Sequence, residues 1–244
     1  MYRGQTVGVV VLAYRVENQI KEVIENLPDF VDRIYVIDDG SPDGTSEIVK
    51  MLDHGRLNLI QHETNLGPGG ALSTGYRAAL ADGMEVVVKV DGDGQTPVEQ
   101  IEDLIMPVVD GQVDYAKGDR LSIPEHRQGM PRFRIFGNLM LTWLTRIASG
   151  YWQLNDSQNG FTAISKRALE TIDLNLYSYY GYLNDLLVQL NVRHLKILDV
   201  PMAAVYGEEK SSIRLSPYVP KVSLLLLRKL CCRIWKRYFS WIQN

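Results

Sequence analysis

Short runs of apolar, β-branched residues alternate along the chain with stretches of helical spacing. The first run, residues 7–13, is continuous, as expected of a strand that is buried on both faces in a parallel sheet. Similar runs follow at 33–38, 57–61 and 86–90, each bounded by turn-forming residues. The pattern predicts an α/β fold with a mostly parallel sheet, a central first strand and helices on both faces. Ligands bind such sheets beyond the carboxyl ends of the strands.

An acidic turn, DDGSPDGTSEIV, follows the second predicted strand. Asp43 or Thr45 can cap the helix that comes next. Helix capping does not explain the adjacent pair Asp38 and Asp39, whose like charges repel unless a ligand, a metal or backbone donors satisfy them. We expect a ligand role for at least one of the two.

A glycine-rich turn, NLGPGGALSTGYRAAL, follows the third predicted strand and opens a helix. The backbone N–H groups around Gly69 could cradle a phosphate, as helix N-termini do. The turn lacks the Lys-Ser/Thr of a P-loop and the spacing of a dinucleotide fingerprint, so its glycines could equally serve close helix packing. Both interpretations stay open at this point.

The most specific motif, DGDGQ, follows the fourth predicted strand. It places Asp91, Asp93 and Gln95 at alternate positions, which share one side of an extended segment. Hard cations such as Mg²⁺ or Mn²⁺ prefer oxygen ligands of this kind and commonly bridge to phosphates. A calcium loop is the alternative for DGDG, but no glutamate stands at its twelfth position and no helix precedes it. The motif predicts a metal–diphosphate site.

The order of these motifs resembles the GT-A fold of family 2 glycosyltransferases over roughly residues 7–210. Within that span NDSQNGFTAIS, YGYLNDLLVQL and YGEEKSSI resemble the branch that transfers sugars to dolichyl or other polyprenyl phosphates. The resemblance implies a Rossmann-like sheet, a UDP- or GDP-linked sugar as donor, and transfer with inversion in a single displacement. It also implies that Mg²⁺ or Mn²⁺, held by Asp91, Asp93 and Gln95, bridges the donor diphosphate.

The same resemblance implies which residues hold the nucleotide. The base and ribose are expected between the first strand end and the acidic turn, at Ala13, Tyr14, Glu17 and Asp39, and the diphosphate at the metal beside Asp91. Apart from the resemblance, Gly69 in the glycine turn and Lys210 in the YGEEKSS loop are candidates for contact with the diphosphate. One position departs from the family's pattern, since Val16 stands where an acidic residue is usual.

The acceptor decides what further catalytic groups are required. A hydroxyl acceptor needs a carboxylate base, for which Asp185 or Asp156 are candidates. A phosphate acceptor is already anionic and needs cationic positioning instead. Arg120, Arg132 and Arg134 are clustered before a predicted apolar helix at 135–148, and arginine forks match phosphate geometry. The alternative is a basic loop that faces a membrane and has no specific ligand.

Charge is unevenly distributed along the 244 residues. Residues 210–244 contain eight Lys/Arg and no Asp/Glu, whereas the remainder has 18 against 29, a net charge of −11. We expect a glycosyltransferase domain over 1–214 and a basic amphipathic tail over 215–244 that attaches to an anionic membrane surface. The alternatives are packing on the same domain or a seam between copies of the chain.

Other features narrow the functional class. No secretory leader or run of about 18 apolar residues is present, so we expect a cytoplasmic protein, peripheral at the membrane and without a nucleic-acid partner. The histidines and the adjacent Cys231 and Cys232 lack metal-ligand spacing. The sequence thus favours sugar transfer to a polyprenyl phosphate. Transfer to a hydroxyl acceptor, with Asp185 as base, and a catalytically weak nucleotide-binding scaffold are the alternatives.

Overall fold

The protein is a three-layer α/β structure in a computed structural model that describes residues 1–52, 55–127, 132–179, 181–203 and 215–242. Side chains are described for these residues except 127, 132–134, 215–221 and 236–242. The strands are β1 (Val7–Ala13), β2 (Arg33–Asp38), β3 (Leu57–Gln61), β4 (Val86–Asp91), β5 (Tyr115–Asp119), β6 (Thr162–Ser165) and β7 (Ile197–Pro201). The helices are α1 (Ile20–Glu25), α2 (Thr45–Met51), α3 (Pro68–Ala81), α4 (Ile101–Val109), α5 (Arg132–Ser149), α6 (Lys166–Thr171), α7 (Tyr182–Val192) and α8 (Leu215–Ile242).

The strands form a single sheet in the order β3-β2-β1-β4-β6-β5-β7. The first four strands are parallel and lie where the apolar runs predict them, with β1 in the interior of the sheet. β6 runs antiparallel to both of its neighbours, β4 and β5, and β7 is parallel to β5. The α/β prediction is therefore confirmed.

The last three strands were not predicted from the apolar pattern. β5 reads YAKGD and is nevertheless buried along its whole length. Lys117 lies inside the protein because its ammonium pairs with Asp199 of β7, with Nζ 3.1 Å from Oδ1. Because the charge of Lys117 lies within β5 and is paired with the neighbouring strand β7, the sequence of β5 does not form an apolar run that would predict a buried strand.

Alternate residues of the central strands build two cores on opposite faces of the sheet. Val9 and Val11 point toward α1, α2 and α4, whereas Val10 and Leu12 point toward α3, α6 and α7. This is the consequence of the two-residue period of a strand that is covered on both sides.

Helices α5 and α8 pack together outside these two layers. Leu141 and Ala148 of α5 meet Val222 and Leu226 of α8 in a third apolar cluster. The tail predicted over 215–244 contains α8, which begins at Leu215. In the described part of the chain, no helix is sufficiently long and apolar to cross a membrane.

The basic residues of α8 do not all face the solvent. Lys229 pairs with Asp185 of α7, and Arg233 donates to the carbonyl oxygen of Ile147 at 2.9 Å. Two basic residues therefore face the domain. A separate stripe on the solvent side is apolar and contains Leu224, Leu227, Cys231, Ile234 and Trp235.

Candidate active site

The carboxyl ends of β2, β1 and β4 lie side by side at one edge of the sheet. Ala13 is in register with Asp38, and Leu12 is in register with Asp91. The chain continues the pairing beyond the strands, because Asp39 N donates to Ala13 O at 2.9 Å. Parallel pairing thus brings the acidic turn and the DGDGQ motif to the same edge.

The carboxylate of Asp38 closes its own turn. It accepts from the backbone N–H of Ser41 at 2.9 Å and from the Ser46 hydroxyl. Asp43 accepts from the Thr45 hydroxyl at 2.7 Å and from its N–H at 3.3 Å. Burial raises the pKa of Asp43, but these hydrogen bonds outweigh burial and leave it lowered. Asp38 and Asp43 therefore shape the acidic turn.

Asp39 links the acidic turn to the glycine turn. Its carboxylate is buried and accepts from the backbone N–H groups of Leu66 and Gly67, both at 2.8 Å. His62 lies beside it, with Nδ1 2.8 Å from Asp39 Oδ1 and Nε2 2.9 Å from the Thr74 hydroxyl. Backbone N–H groups and a histidine thus satisfy the charge of Asp39, one of the two adjacent aspartates whose like charges repel. A ligand role for Asp39 stays a prediction.

The glycine turn is packed directly against the chain before α7. Gly69 N donates to Ser178 O at 2.9 Å, so this N–H at the start of α3 is used by a protein carbonyl. A Cβ at Gly67 would overlap Ser178 O, and one at Gly69 would overlap Tyr177 O. The close-packing interpretation of these glycines is supported, and phosphate binding at Gly69 stays a prediction.

The loop after β1 presents Tyr14 and a carboxylate at this edge. Tyr14 is exposed, and the Arg15 guanidinium carbon lies 5.3 Å from the centre of its ring. Arg15 has a positive φ of 58°, which turns the chain so that Val16 enters the core. Glu17 accepts from Gly44 N at 2.8 Å and therefore ties this loop to the acidic turn.

The DGDGQ motif turns sharply after Asp91 rather than continuing as a strand. Gly94 has a φ of 74°, and Asp93 Oδ1 accepts from Gln95 N at 3.0 Å. The expectation of an extended segment through Gln95 is therefore wrong. Asp91 ends β4 with a carboxylate that is 43% exposed.

A buried lysine lies directly beneath Asp91. Lys89 Nζ is 2.5 Å from Asp91 Oδ2, and its side chain is almost fully buried. Burial opposes a charged ammonium, but the Asp91 carboxylate outweighs burial and raises the pKa of Lys89. Gly160 closes over this pair, since a Cβ there would lie 2.6 Å from Lys89 Nζ and 3.2 Å from Asp91 Oδ2.

The oxygen chemistry at this turn suits a hard divalent cation. Among the described residues no group of three or more His, Cys, Asp or Glu side chains could hold a metal alone. Mg²⁺ is usually bound through one or two carboxylates together with substrate phosphates. The carboxylates of Asp91 and Asp93 and the amide oxygen of Gln95 are consistent with this kind of coordination. The half-exposed carboxylate of Asp91 is accessible to a divalent cation.

On the other half of the sheet, Arg120 is locked to Asp156. Its Nε is 2.7 Å from Oδ2 and its Nη2 is 3.1 Å from Oδ1, a bidentate pair in which Asp156 is fully buried. Burial raises the pKa of Asp156, but the Arg120 guanidinium and then the Lys117 ammonium outweigh it and hold it below its usual range. Lys117 also donates to the Asp156 carbonyl oxygen.

A cleft of about 430 Å³ opens next to this pair. It is lined by residues adjacent in sequence to Arg120 and Asp156 and by the outer face of α5: Leu121, Ser122, Leu139, Thr142, Trp143, Arg146 and Asn155. Arg146 is fixed by hydrogen bonds from Nε to Leu154 O at 2.5 Å and from Nη2 to Asn155 Oδ1 at 3.1 Å. The cleft combines apolar walls with a positioned arginine.

The remaining predicted residues lie apart from this edge or outside the described residues. Asp185 is 3% exposed at the start of α7 and is paired with Lys229. Arg134 lies in α5, but its side chain is outside the described set, and Lys210 falls in a segment that is not described.

Comparison with known proteins decides the family. A family model described as "Glycosyl transferase family 2" matches residues 8–173, which span β1 to the end of α6. The chain belongs to glycosyl transferase family 2.

This glycosyltransferase is similar in sequence to two curated enzymes whose names refer to a polyprenyl lipid. It is 32% identical to a UDP-N-acetylglucosamine–dolichyl-phosphate N-acetylglucosaminyltransferase of Methanococcus voltae, over 82% of this chain and 86% of the relative. It is 30% identical to a polyprenol monophosphomannose synthase of Mycolicibacterium smegmatis, over 65% of this chain and 63% of the relative.

A solved structure confirms the fold. Glucosyl-3-phosphoglycerate synthase of Mycobacterium tuberculosis, in complex with Mn²⁺, UDP-glucose and phosphoglyceric acid, superposes with a TM-score of 0.70. The match covers 94% of this chain and 80% of the solved chain at 21% identity. The glycosyltransferase therefore has the GT-A-like architecture that its motifs predict.

Several buried residues of the sheet and of its edge were not found from sequence. Lys89 and Lys117 are single charges inside strands, where a solvent-facing side chain is the ordinary expectation. His62 immediately follows β3, and its place beside Asp39 follows only from the parallel pairing of β2 and β3. A polar residue at the end of a predicted parallel strand, next to another such end, is the signal that would have found it.

Proposed function

We propose that this glycosyltransferase moves a sugar from a UDP- or GDP-linked donor to a polyprenyl phosphate at an anionic membrane surface. The reaction needs Mg²⁺ or Mn²⁺ and inverts the anomeric centre in a single displacement. The relative from Methanococcus voltae, which acts on dolichyl phosphate, supports the acceptor class.

The donor side of the proposal rests on the edge formed by β1, β2 and β4. Ala13, Tyr14 and Glu17 surround the base and ribose, and Asp39 holds the glycine turn in place behind them. Asp91, Asp93 and Gln95 would hold the metal. When bound, a divalent cation neutralises the leaving nucleoside diphosphate, so no protein acid is required.

The acceptor side rests on a single observation, the cleft between the Leu121–Ser122 segment and α5. Arg146 supplies a guanidinium to its lining, and its apolar wall continues into an exposed stripe on α5 formed by Phe136, Leu139, Met140 and Trp143. A phosphate on an apolar chain has this combination of charge and hydrophobic length. Because a phosphate oxygen is anionic at neutral pH, the chain needs to orient it rather than deprotonate it.

The membrane assignment rests on the outer surface of the α5–α8 pair. Both helices expose apolar residues at helical spacing, including Trp143 on α5 and Leu227 and Trp235 on α8. Exposed apolar stripes of this kind are typical of helices that lie in the membrane interface. Arg228, exposed on α8, adds attraction to anionic lipid.

The acceptor is tested with the full chain, Mn²⁺ and a panel of UDP- and GDP-linked sugars. We expect a lipid-linked product with a polyprenyl phosphate and none with the polyprenol of the same length, which lacks only the phosphate. Equal transfer to the polyprenol would contradict the proposal and favour a hydroxyl acceptor.

The membrane surface is tested by co-sedimentation with anionic vesicles. The double variant Trp143→Ser/Trp235→Ser should bind vesicles more weakly, since each indole buries a large apolar surface, while donor hydrolysis is unchanged. Trp152→Ser, which removes an equally exposed indole outside both stripes, is the matched control. Unchanged vesicle binding by the double variant would show that the stripes do not attach the enzyme.

A further inference from the structure

The environment of Asp185 is that of a structural carboxylate. Lys229 Nζ and Gln189 Nε2 contact its Oδ1, the latter at 3.4 Å, and Tyr177 N donates to its Oδ2 at 3.1 Å. Both oxygens are therefore engaged, and the side chain is buried. A general base must reach the proton that it removes.

The partner of Asp185 comes from the C-terminal helix. Lys229 lies on the inner side of α8, with a side chain that is 28% exposed, and its ammonium reaches across to the first turn of α7. On the same side of α8, Val222, Leu225 and Leu226 are buried against the domain. The position of α8 is thus tied to Asp185 by charge as well as by apolar contact.

Asp185 in turn holds the segment that supports the glycine turn. The N–H of Tyr177 donates to Asp185, and the carbonyl oxygen of the following residue, Ser178, accepts from Gly69 N at 2.9 Å. The backbones approach so closely that neither Gly67 nor Gly69 has room for a Cβ. A shift of the 177–179 segment therefore moves the start of α3.

The glycine turn carries the contact onward to the donor edge. The N–H groups of Leu66 and Gly67 donate to Asp39, which lies beside the end of β1. A continuous series of hydrogen bonds and ion pairs therefore runs from Lys229 through Asp185 to Asp39.

We infer that Lys229 and Asp185 form a positioning pair that couples the C-terminal helix to the nucleotide pocket. The pair fixes the 177–179 segment, and through it the amides of the glycine turn that hold Asp39. Asp185 then acts on donor binding and takes no proton from the acceptor. The effect on nucleotide affinity rests on the proposed function, whereas the effect on the glycine turn does not.

The first test measures the glycine turn itself by hydrogen exchange of the backbone amides. In Lys229→Met we expect faster exchange at Leu66, Gly67 and Gly69, with β1 unchanged. Arg228→Met, an exposed neighbour on α8, is the matched control and should leave all these amides unchanged. Unchanged exchange of the glycine turn in Lys229→Met would overturn the coupling, whether or not the enzyme binds nucleotides.

The second test separates positioning from base catalysis. Lys229→Met and Asp185→Asn should each weaken UDP or GDP binding and raise the donor KM at least about fivefold, with kcat changed less. The double variant should bind no worse than either single variant, because it leaves no unpaired buried charge. Loss of kcat in Asp185→Asn alone, with nucleotide affinity intact, would show that Asp185 is the base. If the unmodified chain binds no nucleotide, the proposed function fails, and hydrogen exchange still decides the coupling.

Discussion

Replacing Arg120 with methionine is expected to destabilise the protein, because the buried carboxylate of Asp156 loses its guanidinium partner. Asp156 is fully buried, and two guanidinium nitrogens neutralise it at 2.7 and 3.1 Å. Removing one partner of a buried ion pair costs about 3–5 kcal/mol. Lys117 still acts on Asp156, and Arg120 is itself 24% exposed, so we expect the lower end of that range, about 3 kcal/mol.

The pKa of Asp156 determines how the free energy of unfolding changes with pH. In the unmodified protein the pKa of Asp156 is held below its unfolded value of about 3.9, so this stabilisation is present above that pH and lost as the pH falls further. Without Arg120, burial dominates and raises the pKa of Asp156 in the folded state. The loss of unfolding free energy in Arg120→Met is then largest at neutral pH and becomes smaller as the pH falls toward about 4.

Urea unfolding at pH 7 and pH 4.5 measures both effects. At pH 7 a loss of about 3 kcal/mol corresponds to a melting temperature lower by about 6–12 °C for a chain of this size. Arg77→Met, an exposed arginine bonded to Asn175, is the matched control and should change stability by less than about 0.5 kcal/mol. An Arg120→Met deficit that is as small as the control's, and equal at both pH values, would refute the reasoning.

Two further predictions concern the reaction. Asp93→Asn should lose most transfer activity while keeping its fold by circular dichroism, since it weakens one of the proposed metal ligands; undiminished transfer in excess EDTA would contradict metal dependence. An α-linked donor should give a β-linked product, which NMR of the lipid-linked sugar will show; an α-linked product would indicate a two-step mechanism.

The half of the sheet formed by β1 to β4 could be predicted because its strands are mostly apolar runs, of which β1 is uninterrupted. The other half could not, since β5 reads YAKGD and β6 has only four residues. Lys117 looks like a surface residue until its partner Asp199, 82 positions later, is known. An ion pair of this kind depends on which strands are neighbours in the sheet, and the periodicity of apolar residues does not reveal the strand order.

The candidate site shows the same limit. The acidic motifs were found because like charges at strand ends have few structural explanations. Their partners were not, because His62 reaches Asp39 from a neighbouring strand, and because Lys89, two positions before Asp91, is buried where a charged residue is expected to face solvent. In α8, spacing separates two faces but does not indicate which one meets the domain, and Lys229 is turned inward.

The antiparallel strand β6 has a consequence for synthesis of the chain. β4 pairs with β1 on one side and with β6 on the other, so its second edge stays open until β6 has been made. After Asp91, 74 residues are added up to and including Ser165, which takes about 4–15 s of translation. During that interval the nascent chain presents an unpaired apolar strand edge, a ready template for association with other chains. Ribosomal pausing before residue 165 would lengthen this exposure.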